Sequence, residues 1–263
     1  ADDLIAPDFI ARTMEILLMH PNAAMCHAQG TVFRDGAAER AAYPASHALH
    51  AIGPDPVARA RHVMAHYTSS PSFWGVYRRS AVDQLAPIRC RAGWDHAVLA
   101  ELALYGEIRH VAAPLYLRRD GGKPVLDLAR AATEQGMRGV ALDDVLGELR
   151  WRTPLITTAY AHLETFAAAR LPAAERAALM RLAGETFRAR WHPFMRREAA
   201  SLRAHLPALI SRLPTFDPTV MHWHAQALES AIRAVETMLP DEDFTPEHLE
   251  IAALAGAARQ HAA

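Results

Sequence analysis

SFWGVYRRSAVDQLAPIRCRAGWDHAVLAELALYGEIRHVAAPLYLRRDGG, residues 72–122, is the stretch on which the fold turns. Its first eight residues combine aromatic and β-branched side chains in a short run that follows Ser70-Pro71-Ser72, and they predict a strand. Residues 93–106 predict a helix, with Val98, Leu99, Leu102 and Leu104 apolar and Gly106 at its C-terminal cap. Residues 108–119 predict a last strand, which Asp120-Gly121-Gly122 ends. Strand, helix and strand in that order imply an α/β architecture.

Working upstream, residues 23–33 (AAMCHAQGTVF) predict another strand followed by an Asp35-Gly36 turn, and residues 55–67 predict a helix. The opening ADDLI reads as the end of a buried strand that runs straight into a helix. Pro7 suits a first helical turn, Asp8 complements the helix N-terminus, and Ile10, Met14, Leu17 and Leu18 make an apolar stripe before Pro21. A domain seldom begins at such a place, so an N-terminal part is expected to precede Ala1.

Downstream of Gly122 the strand-like alternation disappears. Alanine-, leucine- and arginine-rich helical patterns take over, with prolines at 154, 172, 193, 207, 214, 218 and 246 as natural helix starts or stops. The chain is therefore divided at residue 122, with an α/β part at 1–122 and an all-α region at 123–263.

The 28 basic and 29 acidic side chains leave a formal charge of −1, so there is no global field to draw the protein onto nucleic acid or an anionic membrane. Any phosphate recognition must be local, and no nucleic-acid partner is expected. Cys26 and Cys90 are too few for a disulfide framework and lack metal-site spacing, which suits a reducing cytoplasm. No apolar run approaches the ~20 residues of a transmembrane segment. The expected location is cytoplasmic, free or at the inner face of the membrane.

A few residues carry candidate chemistry. Asp2 and Asp3, adjacent carboxylates at a strand end, offer the hard oxygen ligands that suit Mg²⁺ or Mn²⁺; as an acidic pair at a helix start they equally complement a dipole. Asp95, just before an amphipathic helix, can cap that helix or project into a cleft floored by Trp94 as a general base. Arg78, Arg79, Arg118 and Arg119 bracket the Asp95 helix, and guanidinium groups grip phosphate oxygens in pairs. Lys123, the only lysine, follows in a Gly-Gly loop that can close over a phosphate. His62/His66 and His222/His224 have metal-like spacings, but neither pair has a nearby carboxylate or third histidine.

In order and in spacing, ADDLIAPDF, SFWGVYRRSAVDQL, GWDHAVLAELALYG and APLYLRRDGG resemble the second half of the catalytic domain of an inverting GT-A glycosyltransferase of the large family-two type. The resemblance covers residues 1 to about 122. It implies an incomplete Rossmann-like GT-A domain followed by helices. It also implies a metal-assisted transfer of sugar from a nucleoside-diphosphate donor to a hydroxyl acceptor, as in polysaccharide biosynthesis, where the acceptor is a glycan, a lipid-linked sugar or a protein. On that resemblance Asp2 and Asp3 hold the metal, Asp95 is the general base, Arg118, Arg119 and Lys123 contact the diphosphate, and Trp74 and Trp94 face the acceptor. The alternatives are an interaction module built on a degenerate or truncated transferase domain, and a metal-dependent phosphate-ester hydrolase.

Overall fold

The computed structural model describes residues 3–33, 41–42, 48–66, 70–87, 93–119, 153–216 and 218–262. Asp2, the Asp35-Gly36 turn and Lys123 lie outside them. The described elements are β1 (Leu4–Ile5), α1 (Phe9–Met19), β2 (Ala23–Phe33), β3 (Ala41–Ala42), α2 (Pro56–His66), a 3-10 turn (Ser70–Phe73), β4 (Gly75–Tyr77), α3 (Arg79–Val82), α4 (Trp94–Tyr105) and β5 (Glu107–Arg119). After these come α5 (Pro154–Ala168), α6 (Ala173–Arg212), a 3-10 turn (Leu213–Thr215), α7 (Pro218–Met238) and α8 (Thr245–Ala262). The protein is thus mixed α/β, with its sheet in the first part and helices in the last.

The sheet is built on β2 and β5, which run parallel from Ala23↔Glu107 to Phe33↔Arg119. β1 adds antiparallel to the end of β5, while β3 and β4 both pair antiparallel with β2. Cys26, Ala28, Val111 and Leu115 form one core cluster with Phe9 and Leu17 of α1. Met25, His27 and Ile108 are equally buried, so β2 and β5 are covered on both faces. That double burial is why AAMCHA is a continuous apolar run, as parallel strands tend to be. Gly75 lets β4 approach β2, since a Cβ there would lie 2.5 Å from the Cys26 carbonyl oxygen.

Several local expectations are corrected. β4 covers only Gly75–Tyr77, because Ser70–Phe73 winds into a 3-10 turn and Arg79 already begins α3. Leu4 and Ile5 are about half exposed, so β1 is an edge strand rather than the end of a buried one. The face α1 buries is Phe9, Thr13 and Leu17; the apolar Ile10, Met14 and Leu18 point outward. Thr13 goes inward because its hydroxyl donates to the Phe9 carbonyl, 2.8 Å away, and needs no other partner. Gly106 follows α4 without a left-handed conformation. Its need is close approach, since a Cβ would meet the Asn22 carbonyl oxygen at 2.7 Å.

The described residues form two compact units. One gathers the sheet, α1–α4 and residues His162–Phe187; the other gathers residues from Arg188 onward with the first part of α5. In the second, Glu198 of α6 accepts hydrogen bonds from the Leu155 and Ile156 N–H groups, 3.1 and 3.0 Å away, and so caps the start of α5. Prolines 154 and 218 begin helices as expected, but Pro193 and Pro207 lie inside α6. Met195, Ala199, Leu202 and Leu206 are fully buried along that stretch, and their packing outweighs the hydrogen bonds the prolines remove.

Candidate active site

Asp3 is fastened to the far end of β5. The pairing Leu4↔Leu117 brings its carboxylate to the strand end, where Oδ1 accepts the Arg119 N–H at 2.9 Å and Oδ2 accepts the Tyr116 hydroxyl at 2.5 Å. Two hydrogen bonds leave lone pairs on both oxygens, which is room for a hard cation.

From Tyr116 an aromatic ladder crosses to α4. Trp74 lies nearly parallel to Tyr116, with ring centroids 6.4 Å apart and an angle of 17°. Phe73 stands edge-on to Trp74 at 5.5 Å and edge-on to Trp94 at 5.1 Å. These offsets and edges are the arrangements that ring quadrupoles favour. Trp74 is 49 % exposed, so its ring is open to a ligand. The Tyr77 hydroxyl donates to the Phe73 carbonyl; its burial and the neighbouring Asp95 charge push its acidity well below that of an ordinary phenol.

At the ladder's other end, Gly93 turns the chain with φ +78°, a conformation that favours glycine, and α4 starts at Trp94. Asp95 therefore stands in the first helical turn, not at the cap, where its charge complements the helix dipole. The next residue anchors that turn: the buried His96 shares a 2.8 Å Nδ1···Nε2 hydrogen bond with His162, and both rings pack on Phe187. Asp3, Trp74, Trp94 and Asp95, distant in sequence, are thus joined by one run of contacting rings. Tyr116, Phe73 and Tyr77 complete it and were not singled out in the sequence, although the spacing Phe73-Trp74-x-x-Tyr77 was a visible signal.

The cations divide. Arg118 and Arg119 end β5 beside β2, and the Arg119 guanidinium sits 5.0 Å over the Phe33 ring. Arg78 turns to the main chain. It donates to the Ala23 and Leu17 carbonyls, each at 2.8 Å, and to that of His20 at 3.5 Å, closing the C-terminal end of α1. Arg79 pairs with Asp83 one turn on.

Other polar groups are explained by structure. Glu101, buried in α4, accepts the Ala86 N–H and the Tyr105 hydroxyl; burial pushes its pKa up to about 7. His27 is locked to the Leu49 carbonyl at 2.7 Å, and desolvation holds its neighbour His110 down at about 4. His62 and His66 stack on one another, and His66 hydrogen-bonds the His62 carbonyl, as a surface pair does. Among the described residues no cluster of three or more His, Cys, Asp or Glu side chains is placed to hold a metal, and none of the helices is long and apolar enough to cross a membrane.

Comparison with protein-family models, with curated proteins and with solved structures finds no match for this chain. The functional reading therefore rests on the residues and their arrangement.

Proposed function

We propose that this chain is the acceptor-side part of a GT-A glycosyltransferase, acting with inversion on a nucleoside-diphosphate sugar and a hydroxyl acceptor. The observation that carries the reading is the aromatic ladder Tyr116–Trp74–Phe73–Trp94, with the Asp3 carboxylate bonded to its first ring and Asp95 following its last in the chain. The exposed indole of Trp74 suits the apolar face of a sugar ring. Two acids held apart by such a floor suit a reaction that takes a proton at one place and releases a charged leaving group at another.

In this mechanism the Asp95 carboxylate accepts the acceptor's hydroxyl proton as that oxygen attacks the anomeric carbon. The bond from that carbon to the diphosphate oxygen breaks on the opposite side, and the configuration inverts. A divalent ion held by Asp2 and Asp3 would neutralise charge on the leaving diphosphate. Arg118, Arg119 and Lys123 add their charges there, while Trp74 and Trp94 orient the acceptor.

The test begins with binding. UDP and GDP, each with Mn²⁺, should raise the melting temperature of the protein, and Asp3→Ala should abolish the rise. In a transfer assay with labelled nucleotide sugars, Asp95→Asn should lower turnover by at least about a hundredfold, the lower range for loss of a general base, with the fold unchanged. Near-normal turnover of Asp95→Asn would remove the base assignment. Absence of any Mn²⁺-dependent stabilisation would favour the interaction-module reading.

A further inference from the structure

The first turn of α4 is held from two sides. Trp94 meets the aromatic ladder, edge-on to Phe73 at 5.1 Å, while the residues before and after Trp94-Asp95 rest on α5. A side chain at Gly93 would run into Thr158, and His96 bonds to His162 through Nδ1 and Nε2, 2.8 Å apart. Thr158 and His162 stand one turn apart on α5 and so share a face. His96 is 5 % exposed and His162 is fully buried. Phe187 lies 5.9 Å from the His96 ring and 4.6 Å from that of His162, and Phe166 lies 6.2 Å from His162.

A neutral imidazole has one N–H and one lone pair, so in this bond one ring donates and the other accepts. To hold α4 in place two apolar side chains would serve as well, because burying imidazoles costs desolvation that an apolar pair avoids. What the imidazoles add is direction. Packing alone lets the end of a helix turn by small angles, whereas an N–H···N bond weakens steeply off its line. Asp95 directly precedes His96, so the bond that fixes His96 also fixes where the Asp95 carboxylate points.

We propose that His162 is a positioning residue for the Asp95 base, and that α5 thereby aims this carboxylate at the acceptor hydroxyl. The inference rests on the transferase reading and gives a helix from beyond the sheet a part in it.

Transfer kinetics of paired variants test it. His96→Leu/His162→Leu should keep the parent's melting temperature, because both partners leave together. It should nevertheless lower kcat about tenfold with the donor KM unchanged, a fraction of the roughly hundredfold that a 1 Å misplacement costs. In an Asp95→Asn background the same double change should cost nothing further, since the base it aims is gone. His162→Gln, whose amide nitrogen reaches the place of Nε2, should keep most of the parent's kcat, and the shorter His162→Asn should not. The proposal fails if the folded double variant turns over like the parent, or if it loses the same factor again in Asp95→Asn. Should the double variant not fold, the Gln and Asn variants decide, and equal turnover in the two overturns the proposal. A parent that transfers no sugar removes the transferase reading and this inference with it, whereas an active parent with a fully active double variant removes the inference alone.

Discussion

The sheet-bearing part and the long helix α6 use arginine in opposite ways. Around the sheet, Arg78 and Arg59 turn inward and spend their donors on main-chain carbonyls: Arg78 on Ala23, Leu17 and His20, Arg59 on Gly53, Ala103 and Leu104. On α6, Arg188, Arg196 and Arg197 stand in solvent. The same residue type is structural where chain ends and loops meet a buried sheet, because each carbonyl there needs a donor. Within the middle of a long helix the main chain satisfies itself, so these three are left for the surface, whereas Arg176 and Arg203 of the same helix reach the Leu171 and Asp243 carbonyls outside it.

That contrast can be broken first at Arg78. Replacing it with methionine keeps the stem but leaves carbonyls at the α1–β2 junction without their donor, and should cost about 3 kcal/mol by chemical denaturation. A loss below about 0.5 kcal/mol would mean that water replaces the guanidinium and that the inward arginines are not structural.

The next effect is in pH. Burial pushes both Glu101, beside the sheet, and Glu198, on α6, up to about 7 from an ordinary 4.5. The folded state then holds more protons than the unfolded one between those values. Stability from these groups is complete below about pH 4.5 and is lost as pH rises through 7, on the order of 3 kcal/mol for each. His110 works the other way. Its pKa falls from 6.5 to about 4, so its contribution is intact above pH 6.5 and disappears as pH drops towards 4. Melting curves across this range should flatten on the alkaline side in Glu101→Gln and Glu198→Gln, and on the acid side in His110→Gln. An unchanged alkaline slope in both glutamine variants would show that neither carboxyl is held protonated by the fold.

The smallest effect belongs to Arg79, whose ion pair with Asp83 is largely in water. Arg79→Ala should leave the denaturation midpoint where it is within the error of the measurement. Set beside Arg78→Met, the neighbouring pair measures the contrast within one turn of chain.

Much of the sheet was legible because its signals are intrinsic. A strand buried on both faces is apolar throughout, so β2 could be read at residues 23–33 without knowing its neighbours. α4 was legible as a helix but not as the amphipathic one expected: every residue from His96 to Ala103 is buried, so it has no solvent face over that stretch. α1 required a choice of face. Its outward Ile10, Met14 and Leu18 are as apolar as the Phe9 and Leu17 it buries, and Thr13 counts as core only once its hydroxyl is seen bonding to Phe9. In the candidate site, Asp3, Asp95, Trp74 and Trp94 could be named from their types and order, whereas the meeting of Tyr116 with Asp3 depends on the register of β1 with β5, and the bridging place of Phe73 on the 3-10 turn before β4.

What the chain determined alone was which segments are strands or helices and which side chains have chemistry to offer, since both follow from periodicity and residue type. Tertiary structure decided which of those side chains are still available: Arg78 is consumed by carbonyls, Glu101 by an N–H group and a hydroxyl, and His96 by His162. The reason is that hydrogen bonds to partners dozens of residues away are fixed by strand register and helix packing, and no local pattern encodes either.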